Sequence, residues 1–243
     1  MIDLYTGTPR SGKSLHAAER IVMRSRFGEP VIGNFPCKLH RYKKADFTYV
    51  PNHQLTPKFL IDYSKNYFKH RPLKEGAILL VIDECQLLFN ARAWQQRGRE
   101  KWLSFFTQHG KLGYDIILIT QVDRMIDRQI RGLVEYEYVH RRLNNYGWRG
   151  ILLRCVSFGA GFIAVKVWYP MNEKVGQELF RARRKYYSIY DTFALFDEKD
   201  KGEVAAIGEV VDTSPSQELA SKPKNKAVIL LRSEDKYDTI LMI

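Results

Sequence analysis

The chain has 243 residues, which is enough for one large domain or for one domain with an appendage. Apolar residues make up 45% of it and charged residues 27%, which excludes a disordered or fibrous protein. The formal net charge of +12 is concentrated before residue 197, and it agrees either with a polyanionic partner, such as nucleic acid or an anionic membrane face, or with a solubilising surface that has no partner.

Hydrophobic periodicity predicts that short strands and helices alternate over the first half of the chain. Strands are predicted at residues 2–6, 30–36, 47–50, 77–82 and 114–120. Helices are predicted at residues 15–26, 55–68, 99–109 and 123–130. The continuous apolar run at 77–82 is typical of a strand buried on both faces of a parallel sheet, and 114–120 is interpreted as a second buried strand. We therefore predict an α/β fold with a mainly parallel central sheet flanked by helices.

The pattern changes after residue 132, where β segments follow one another directly. Three such segments are predicted, at 133–143, 151–158 and 161–169. They define a small β-rich extension over about 133–169, and a helix is predicted after it at 173–185. The segment 197–243 is polar and is expected to be a linker with a short C-terminal tail. The predicted organisation is one domain over 1–196 followed by this tail.

A phosphate-binding motif follows the first predicted strand and opens the first predicted helix. The P-loop pattern G-x-x-x-x-G-K-[ST] is matched at every position by Gly7, Thr8, Pro9, Arg10, Ser11, Gly12, Lys13 and Ser14. In such a loop consecutive backbone N–H groups point at phosphate oxygens, and the helix N-terminus adds the positive end of its dipole. Lys13 is predicted to reach the β- and γ-phosphates and Ser14 to ligate Mg²⁺. The alternative is an ordinary glycine turn, but the position between a strand and a helix favours nucleotide binding.

Polar residues at the ends of the two buried strands predict the rest of an ATPase site. Asp83 follows the first of these strands in the Walker B arrangement and is predicted to hold Mg²⁺, while Glu84 is placed to polarise the attacking water. Gln121 follows the second strand and is predicted to lie beside the γ-phosphate. With a further strand at 30–36 between the two motifs, these features are typical of additional-strand, catalytic-glutamate ATPases. Alternatively, all three are solvated polar residues at strand ends.

An arginine finger is expected from a neighbouring subunit. Arg124, Arg128 and Arg131 have spacings that place them on one face of the predicted helix after Gln121. We expect Arg128 or Arg131 to stabilise charge in the transition state as a catalytic residue, although a salt-bridged surface arginine is the alternative. Basic clusters elsewhere either follow DNA phosphates or form solvated faces. The histidines lack metal-ligand spacing and are interpreted as surface or packing residues, and Cys85 is interpreted as a small buried filler.

Five motifs, taken in order, resemble those of a known family. They are the P-loop region 2–14, Gly33-Asn34-Phe35-Pro36, Ile82-Asp83-Glu84-Cys85-Gln86, the segment 113–121 and Tyr190-Asp191-Thr192. Together they resemble the N-terminal domain of zonula occludens toxin, which also occurs in the filamentous-phage assembly ATPase encoded by gene I. The resemblance extends from residue 1 to about residue 196. It implies an ATPase that works as a multimer at the inner membrane during virion export, and it does not imply toxicity.

The expected function is ATP hydrolysis coupled to assembly or export of a filamentous-phage or prophage virion, with ATP and Mg²⁺ as ligands. The expected partners are further copies of the chain in a ring and phage coat or assembly proteins, and single-stranded DNA is a further candidate. Two alternatives stay open: a cytoplasmic motor for DNA packaging or DNA transfer, and a non-hydrolysing scaffold that ATP gates.

The expected location is the cytoplasm, or the periphery of the inner face of the host membrane. Assembly proteins of this family continue into a membrane-spanning helix, whereas no apolar run here reaches the roughly 18 residues that such a helix needs. Membrane contact is therefore expected only through a partner. The lack of a signal peptide and the presence of only three cysteines agree with a reducing cytoplasm.

Overall fold

The computed structural model describes residues 1–92, 98–143 and 161–189. The strands are β1 (Ile2–Thr6), β2 (Pro30–Gly33), β3 (Asp46–Tyr49), β4 (Ile78–Ile82), β5 (Tyr114–Ile119), β6 (Tyr136–Arg142), β7 (Phe162–Trp168) and β8 (Glu173–Phe180). The helices are α1 (Lys13–Phe27), α2 (Pro57–Phe68), α3 (Arg99–Gln108), α4 (Arg128–Arg131) and α5 (Arg184–Tyr187). The strands β1 to β5 and the helices α1 to α3 lie close to the predicted bounds.

The eight strands of the described residues form one sheet in the order β3-β2-β4-β5-β1-β6-β7-β8. The strands from β3 to β6 pair in parallel, and β7 and β8 pair antiparallel to their neighbours. This arrangement confirms the predicted α/β class with a mainly parallel sheet. In space, β5 lies between β1 and β4, while β2 lies on the far side of β4. The strand that separates the two motifs is therefore β5, because order along the chain does not fix order in the sheet.

Two hydrophobic cores flank the parallel part of the sheet, and successive residues of each strand face them in turn. On one face, Leu4 and Leu80 belong to the core that includes Phe105 of α3. On the other face, Tyr5 and Val81 pack in the core that α1 covers. Because both faces are covered, β1 and β4 are buried at every position, which explains the uninterrupted apolar sequence of β4.

Helix α1 connects the P-loop to the second core. It begins after Gly12, whose φ of +100° is in the left-handed region, and it ends at Gly28, where φ is +72°. Its buried apolar stripe follows the helical repeat and consists of Leu15, Ala18, Ile21 and Val22. The loop is therefore held between a fully buried strand and a helix that is anchored along its length.

The helix predicted at 173–185 is wrong, because Glu173–Phe180 is the strand β8. Its exposure alternates with a period of two over the last residues, where Val175, Gln177 and Leu179 are exposed and Phe180 is buried. Glu, Lys, Gln and Leu favour helices by only tenths of a kcal/mol each, which pairing along the whole of β7 outweighs. The antiparallel extension consequently continues to Phe180, and within the described residues up to 189 it is followed by the four-residue helix α5.

The helix predicted at 123–130 is also wrong in its extent. A 3₁₀ turn at Asp123–Met125 and the short α4 are separated by Ile126 and Asp127, which have extended backbones. This segment pairs with the chain after β4, since Asp127 N–H donates to the Phe89 carbonyl and Ala91 N–H to the Met125 carbonyl. Arg124 therefore does not share a helix face with the arginines of α4.

The strand predicted at 151–158 and the tail predicted at 197–243 lie outside the described residues, and so does Tyr190-Asp191-Thr192. Within the described ranges, none of the helices combines the length and the apolar character needed to cross a bilayer.

Candidate functional site

The P-loop joins the end of β1 to the start of α1 and is wedged against the antiparallel extension. Gly7 and Gly12 have φ values of +137° and +100°. A Cβ atom at Gly7 would lie 2.5 Å from the carbonyl oxygen of His140, and one at Gly12 would lie 2.8 Å from the Phe162 ring. Both the backbone angle and the space therefore require glycine at these two motif positions.

Lys13 places its ammonium group beneath this loop. The Nζ atom donates to the carbonyl oxygens of Gly7, at 2.7 Å, and Thr8, at 3.2 Å. Burial lowers the pKa of Lys13, and the nearby carboxylates of Glu84 and Asp83 oppose that shift. The structure thus brings the predicted phosphate-binding lysine and the two predicted Walker B acids into one electrostatic neighbourhood.

The loop carries an unsatisfied polar atom that suits a phosphate. The Ser11 Oγ atom is buried and has no hydrogen-bond partner among the described residues. A buried hydroxyl without a partner costs about 1–3 kcal/mol, which a ligand oxygen could offset. Ser14 is half-buried in the first turn of α1, and that turn contains no acidic residue to neutralise the positive helix end. The residues present therefore fit the triphosphate and Mg²⁺ that the motif predicts.

Asp83 and Glu84 lie on a tight turn directly after β4. Asp83 is buried, and its Oδ1 atom accepts from the Glu84 backbone N–H at 2.9 Å. Glu84 has a φ of +45°, a left-handed conformation that costs a non-glycine residue about 1–2 kcal/mol. The Gln86 side chain donates to Glu84 Oε2 and so holds the carboxylate of the predicted general base. Cys85, the next residue, is fully buried, and burial raises its thiol pKa, as expected of a filler rather than a nucleophile.

Gln121 lies where its strand predicts. Its backbone carbonyl accepts from the Gly7 N–H at 3.2 Å, so the end of β5 contacts the start of the P-loop, and its side chain is exposed. Since β5 separates β1 from β4, Gln121 stands between the loop and the Asp83–Glu84 turn. A role beside the γ-phosphate remains a prediction.

The two predicted finger arginines occupy different environments. Arg131 forms an ion pair with Asp123 at 3.3 Å, whereas Arg128 is exposed. Arg10, at the outer part of the P-loop, is also exposed and has a φ of +61°. An exposed arginine is available to a neighbouring chain, so Arg128 suits the finger better than Arg131, whose pairing would have to break.

Two buried histidines under the P-loop form a hydrogen-bonded chain that the sequence did not predict. His140 Nδ1 faces the carbonyl of Tyr138 at 2.8 Å, so it carries the proton, and its Nε2 atom lies 2.9 Å from His16 Nδ1. His16 Nε2 lies 3.3 Å from Glu178 of β8. Burial, with the adjacent His16, lowers the pKa of His140 to about 3, and the hydrogen bond from His16 lowers the pKa of Glu178. The interpretation as packing residues holds for their burial, but it missed their pairing.

Residue spacing could not have indicated that these two histidines interact, because His16 and His140 are far apart in sequence. The available signal was local: His16 lies on the inward face of α1, two residues after the motif, among Leu15, Ala17 and Ala18. A polar residue at such a position is expected to have a buried partner.

Residues 1–194 match the model of a protein family described as zonular occludens toxin (Zot). The Gene 1 protein of Salmonella phage IKe is 33% identical over 148 residues, which cover 58% of this chain and 40% of that protein. The Gene 1 protein of Enterobacteria phage I2-2 is 32% identical over 148 residues, with coverage of 58% and 40%. The match thus spans about two fifths of the length of these relatives.

Two solved structures share the fold. The N-terminal domain of zonular occludens toxin from Neisseria meningitidis has a TM-score of 0.51 at 20% identity and covers 78% of this chain and 98% of its own. A second structure, which is described as an ATPase domain, has a TM-score of 0.52 at 10% identity, with coverage of 78% and 84%. The fold is that of the P-loop NTPases. Since the family model spans most of the sequence, including the P-loop and the Asp83–Glu84 turn, the chain belongs to the zonular occludens toxin family.

Proposed function

We propose that this protein is an ATPase that couples ATP hydrolysis to assembly and export of a filamentous-phage or prophage virion. One observation carries the proposal: the P-loop and the Asp83–Glu84 turn meet across β5, close enough for both carboxylates to act on Lys13. The similarity to Gene 1 proteins of filamentous phages supports the assembly role.

In this proposal the loop amides and Lys13 bind the phosphates of ATP, and Ser14 and Asp83 hold Mg²⁺. Bound Mg²⁺ supplies positive charge to the phosphate oxygens. Ser11 offers its unpartnered hydroxyl to the same phosphates. Without Mg²⁺, the carboxylate of Asp83 would repel the triphosphate. We therefore expect ATP to bind more weakly when the metal is absent.

Hydrolysis needs a base for the attacking water. Glu84 takes the proton as the water oxygen bonds to the γ-phosphorus and the bond to the β,γ-bridging oxygen breaks, which yields ADP and phosphate. Gln86 holds the Glu84 carboxylate. In this proposal Gln121, just after β5, lies beside the γ-phosphate and senses it. A finger from the next subunit, Arg128 or Arg131, completes the site, so the active form is a homo-oligomer, with a ring as the simplest closed form.

The proposed partners are phage coat and assembly proteins. The proposed location is the cytoplasm or the inner face of the host membrane, with membrane contact through a partner.

A second candidate, a motor that acts on DNA directly, is favoured by basic residues around the loop. Exposed arginines lie on the loop and at the adjoining ends of the extension: Arg10, Arg141, Arg142, Arg181 and Arg183. Arg142 pairs in register with Phe162, whose ring Gly12 faces, and Arg181 follows Phe180 at the end of β8. Such a basic rim can bind phosphates of a nucleic-acid backbone. Turnover stimulated by single- or double-stranded DNA, and weakened by salt, would favour this candidate.

The proposal is tested by separating nucleotide binding from turnover. We expect Lys13→Ala to abolish Mg·ATP binding in calorimetry, because it removes the flexible cation under the loop. We expect Glu84→Gln to keep the ATP affinity and to lose about 10²–10⁴-fold in hydrolysis rate. Glu100→Gln, at an exposed position of α3, is the matched control and should change neither quantity.

Unchanged ATP affinity in Lys13→Ala would refute the nucleotide site. If Glu84→Gln turned over at nearly the wild-type rate, a group other than Glu84 would have to be the general base. Tight binding without multiple turnover in the wild-type protein would instead identify a scaffold that ATP gates.

A further inference from the structure

Asn34 occupies the point where β2 and β4 separate. The parallel pairing of these strands ends with Gly33 opposite Val81, and the chain then turns away at Asn34. From there the Asn34 side chain takes the place of the backbone ladder. Its Nδ2 atom donates to the Asp83 carbonyl at 2.8 Å, and its Oδ1 atom accepts from the Asp83 N–H at 2.7 Å. Asn34 is 2% exposed, so water does not compete for these two bonds.

A third hydrogen bond fixes the orientation of the amide. Asn34 Nδ2 also donates to Asn52 Oδ1 at 2.9 Å. The Asp83 N–H requires an acceptor and the Asp83 carbonyl requires a donor, so only one orientation of the Asn34 amide satisfies all three contacts. The side chain is therefore held from both sides, by Asp83 directly after β4 and by Asn52 on the loop after β3.

This contact determines how the two acids after β4 are directed. The clamped peptide of Asp83 precedes Glu84, which is in the left-handed region, and the Glu84 N–H donates in turn to Asp83 Oδ1. A rotation of the Asp83 peptide would move both carboxylates at once. A left-handed residue in this position persists only when its surroundings hold it there.

We infer that Asn34 is a positioning residue that fixes the Asp83–Glu84 turn for metal binding and for activation of water. The inference rests on the proposed function, in which Asp83 holds Mg²⁺. Asn34 itself touches neither the metal nor the nucleotide, and it acts through the Asp83 backbone. Groups that orient a metal ligand in this way typically contribute about 10–100-fold to metal affinity.

The test measures the Mg²⁺ concentration that half-saturates binding of a fluorescent ATP analogue. Asn34→Asp is nearly isosteric, but it replaces the donor to the Asp83 carbonyl with an oxygen. We expect it to raise the half-saturating Mg²⁺ concentration about 10–100-fold. The affinity for the analogue in EDTA, which reports on the P-loop alone, should stay within about twofold of the wild-type affinity. Asn66→Asp, exposed on α2, is the matched control and should leave both quantities unchanged.

Asn52→Leu provides a second variant if Asn34→Asp does not fold. It removes the outer hydrogen bond and leaves the pair with Asp83, so the same shift is expected with a smaller size, above about twofold and below that of Asn34→Asp. A Mg²⁺ dependence equal to wild type in the folded variant, or a loss of binding in EDTA as large as that in Mg²⁺, would overturn the positioning role.

Asp83→Asn separates this inference from the proposed function. If Asp83→Asn shifts the Mg²⁺ dependence and the Asn34 and Asn52 variants do not, the inference fails and the magnesium site stands. If Asp83→Asn itself leaves the Mg²⁺ dependence unchanged, the proposed role of Asp83 is wrong.

Discussion

Asp3 places a carboxyl group within β1, a central strand that is buried at every position. It is 4% exposed, and its Oδ1 atom is buried with no hydrogen-bond partner among the described residues. Burial raises its pKa from 3.8 to about 7, and the positive charges of Lys166 and Arg20 limit the rise. We expect Asp3→Asn, which keeps the shape and removes the charge, to stabilise the protein above neutral pH.

The size and sign of the effect follow from the two pKa values. Between pH 3.8 and about 7 the folded state holds a proton on Asp3 that the unfolded chain has released. The contribution of Asp3 to stability is therefore fully present below pH 3.8 and is lost as the pH rises through about 7. The complete loss corresponds to about 4 kcal/mol, at 1.36 kcal/mol for each tenfold change in the proton equilibrium. Asp3→Asn should recover most of this at about pH 8 and none of it at about pH 4.

Urea unfolding of the wild type and Asp3→Asn at several values between about pH 4 and pH 8 measures this difference. His140 acts in the opposite direction, because its pKa of about 3 makes stability fall as the pH falls below the ordinary value of 6.5. That contribution is common to both proteins, so it cancels in the difference between them. Asp62→Asn, exposed on α2, is the control. A difference that does not change with pH, or an Asp3→Asn protein that is less stable than wild type at the alkaline end of the series, would refute the reasoning.

Two further predictions concern the loop and the assembled site. Gly12→Ala should reduce ATP affinity at least about tenfold and lower the free energy of unfolding by about 1–2 kcal/mol, because the new Cβ would clash with Phe162 and the residue has a left-handed φ. Gly176→Ala is the control, since a Cβ at Gly176 would contact nothing within 4 Å. Equal ATP affinity in the two variants would contradict this account of the loop. If Arg128 or Arg131 acts across a subunit boundary, ATPase activity per mole should rise with protein concentration. Mixing an inactive variant of that arginine with the Lys13→Ala variant should then restore part of the turnover. A rate that is independent of protein concentration, together with no rescue on mixing, would show that the whole site lies within one chain.

The parts of the fold that sequence predicts well are those that a short segment specifies by itself. The strand β4 is a continuous apolar run, and β5 is apolar from Ile116 to Ile119, because both faces of the sheet are covered there. The P-loop is recognisable because its glycines are required by backbone geometry at Gly7 and Gly12, whatever the rest of the chain does. Asp83 and Glu84 are also predictable from a short segment, since they follow directly on the buried strand β4.

The parts that sequence could not supply depend on contacts between distant segments. β8 has the composition of a helix and becomes a strand because β7 offers a complete partner. The extended link through Ile126 and Asp127 exists because Phe89 and Ala91 supply its hydrogen bonds. Asn34 was part of a motif that the resemblance used, but its function as a clamp on Asp83 is visible only once β2 lies beside β4.

The same long-range contacts make the antiparallel extension a support of the P-loop rather than an attachment to the domain. The loop glycines are confined by the His140 carbonyl of β6 and by the Phe162 ring of β7, and Phe180 of β8 lies 3.2 Å from the position that a Cβ of Gly12 would take. Phe180 also stacks on His16, which Glu178 contacts from the same strand. A chain that ended before β6 would leave the loop without these supports and would expose Tyr5, whose ring contacts Tyr138 and His140 of β6. The conformation of the P-loop is therefore specified jointly by its own motif and by residues that lie more than a hundred positions further along the chain.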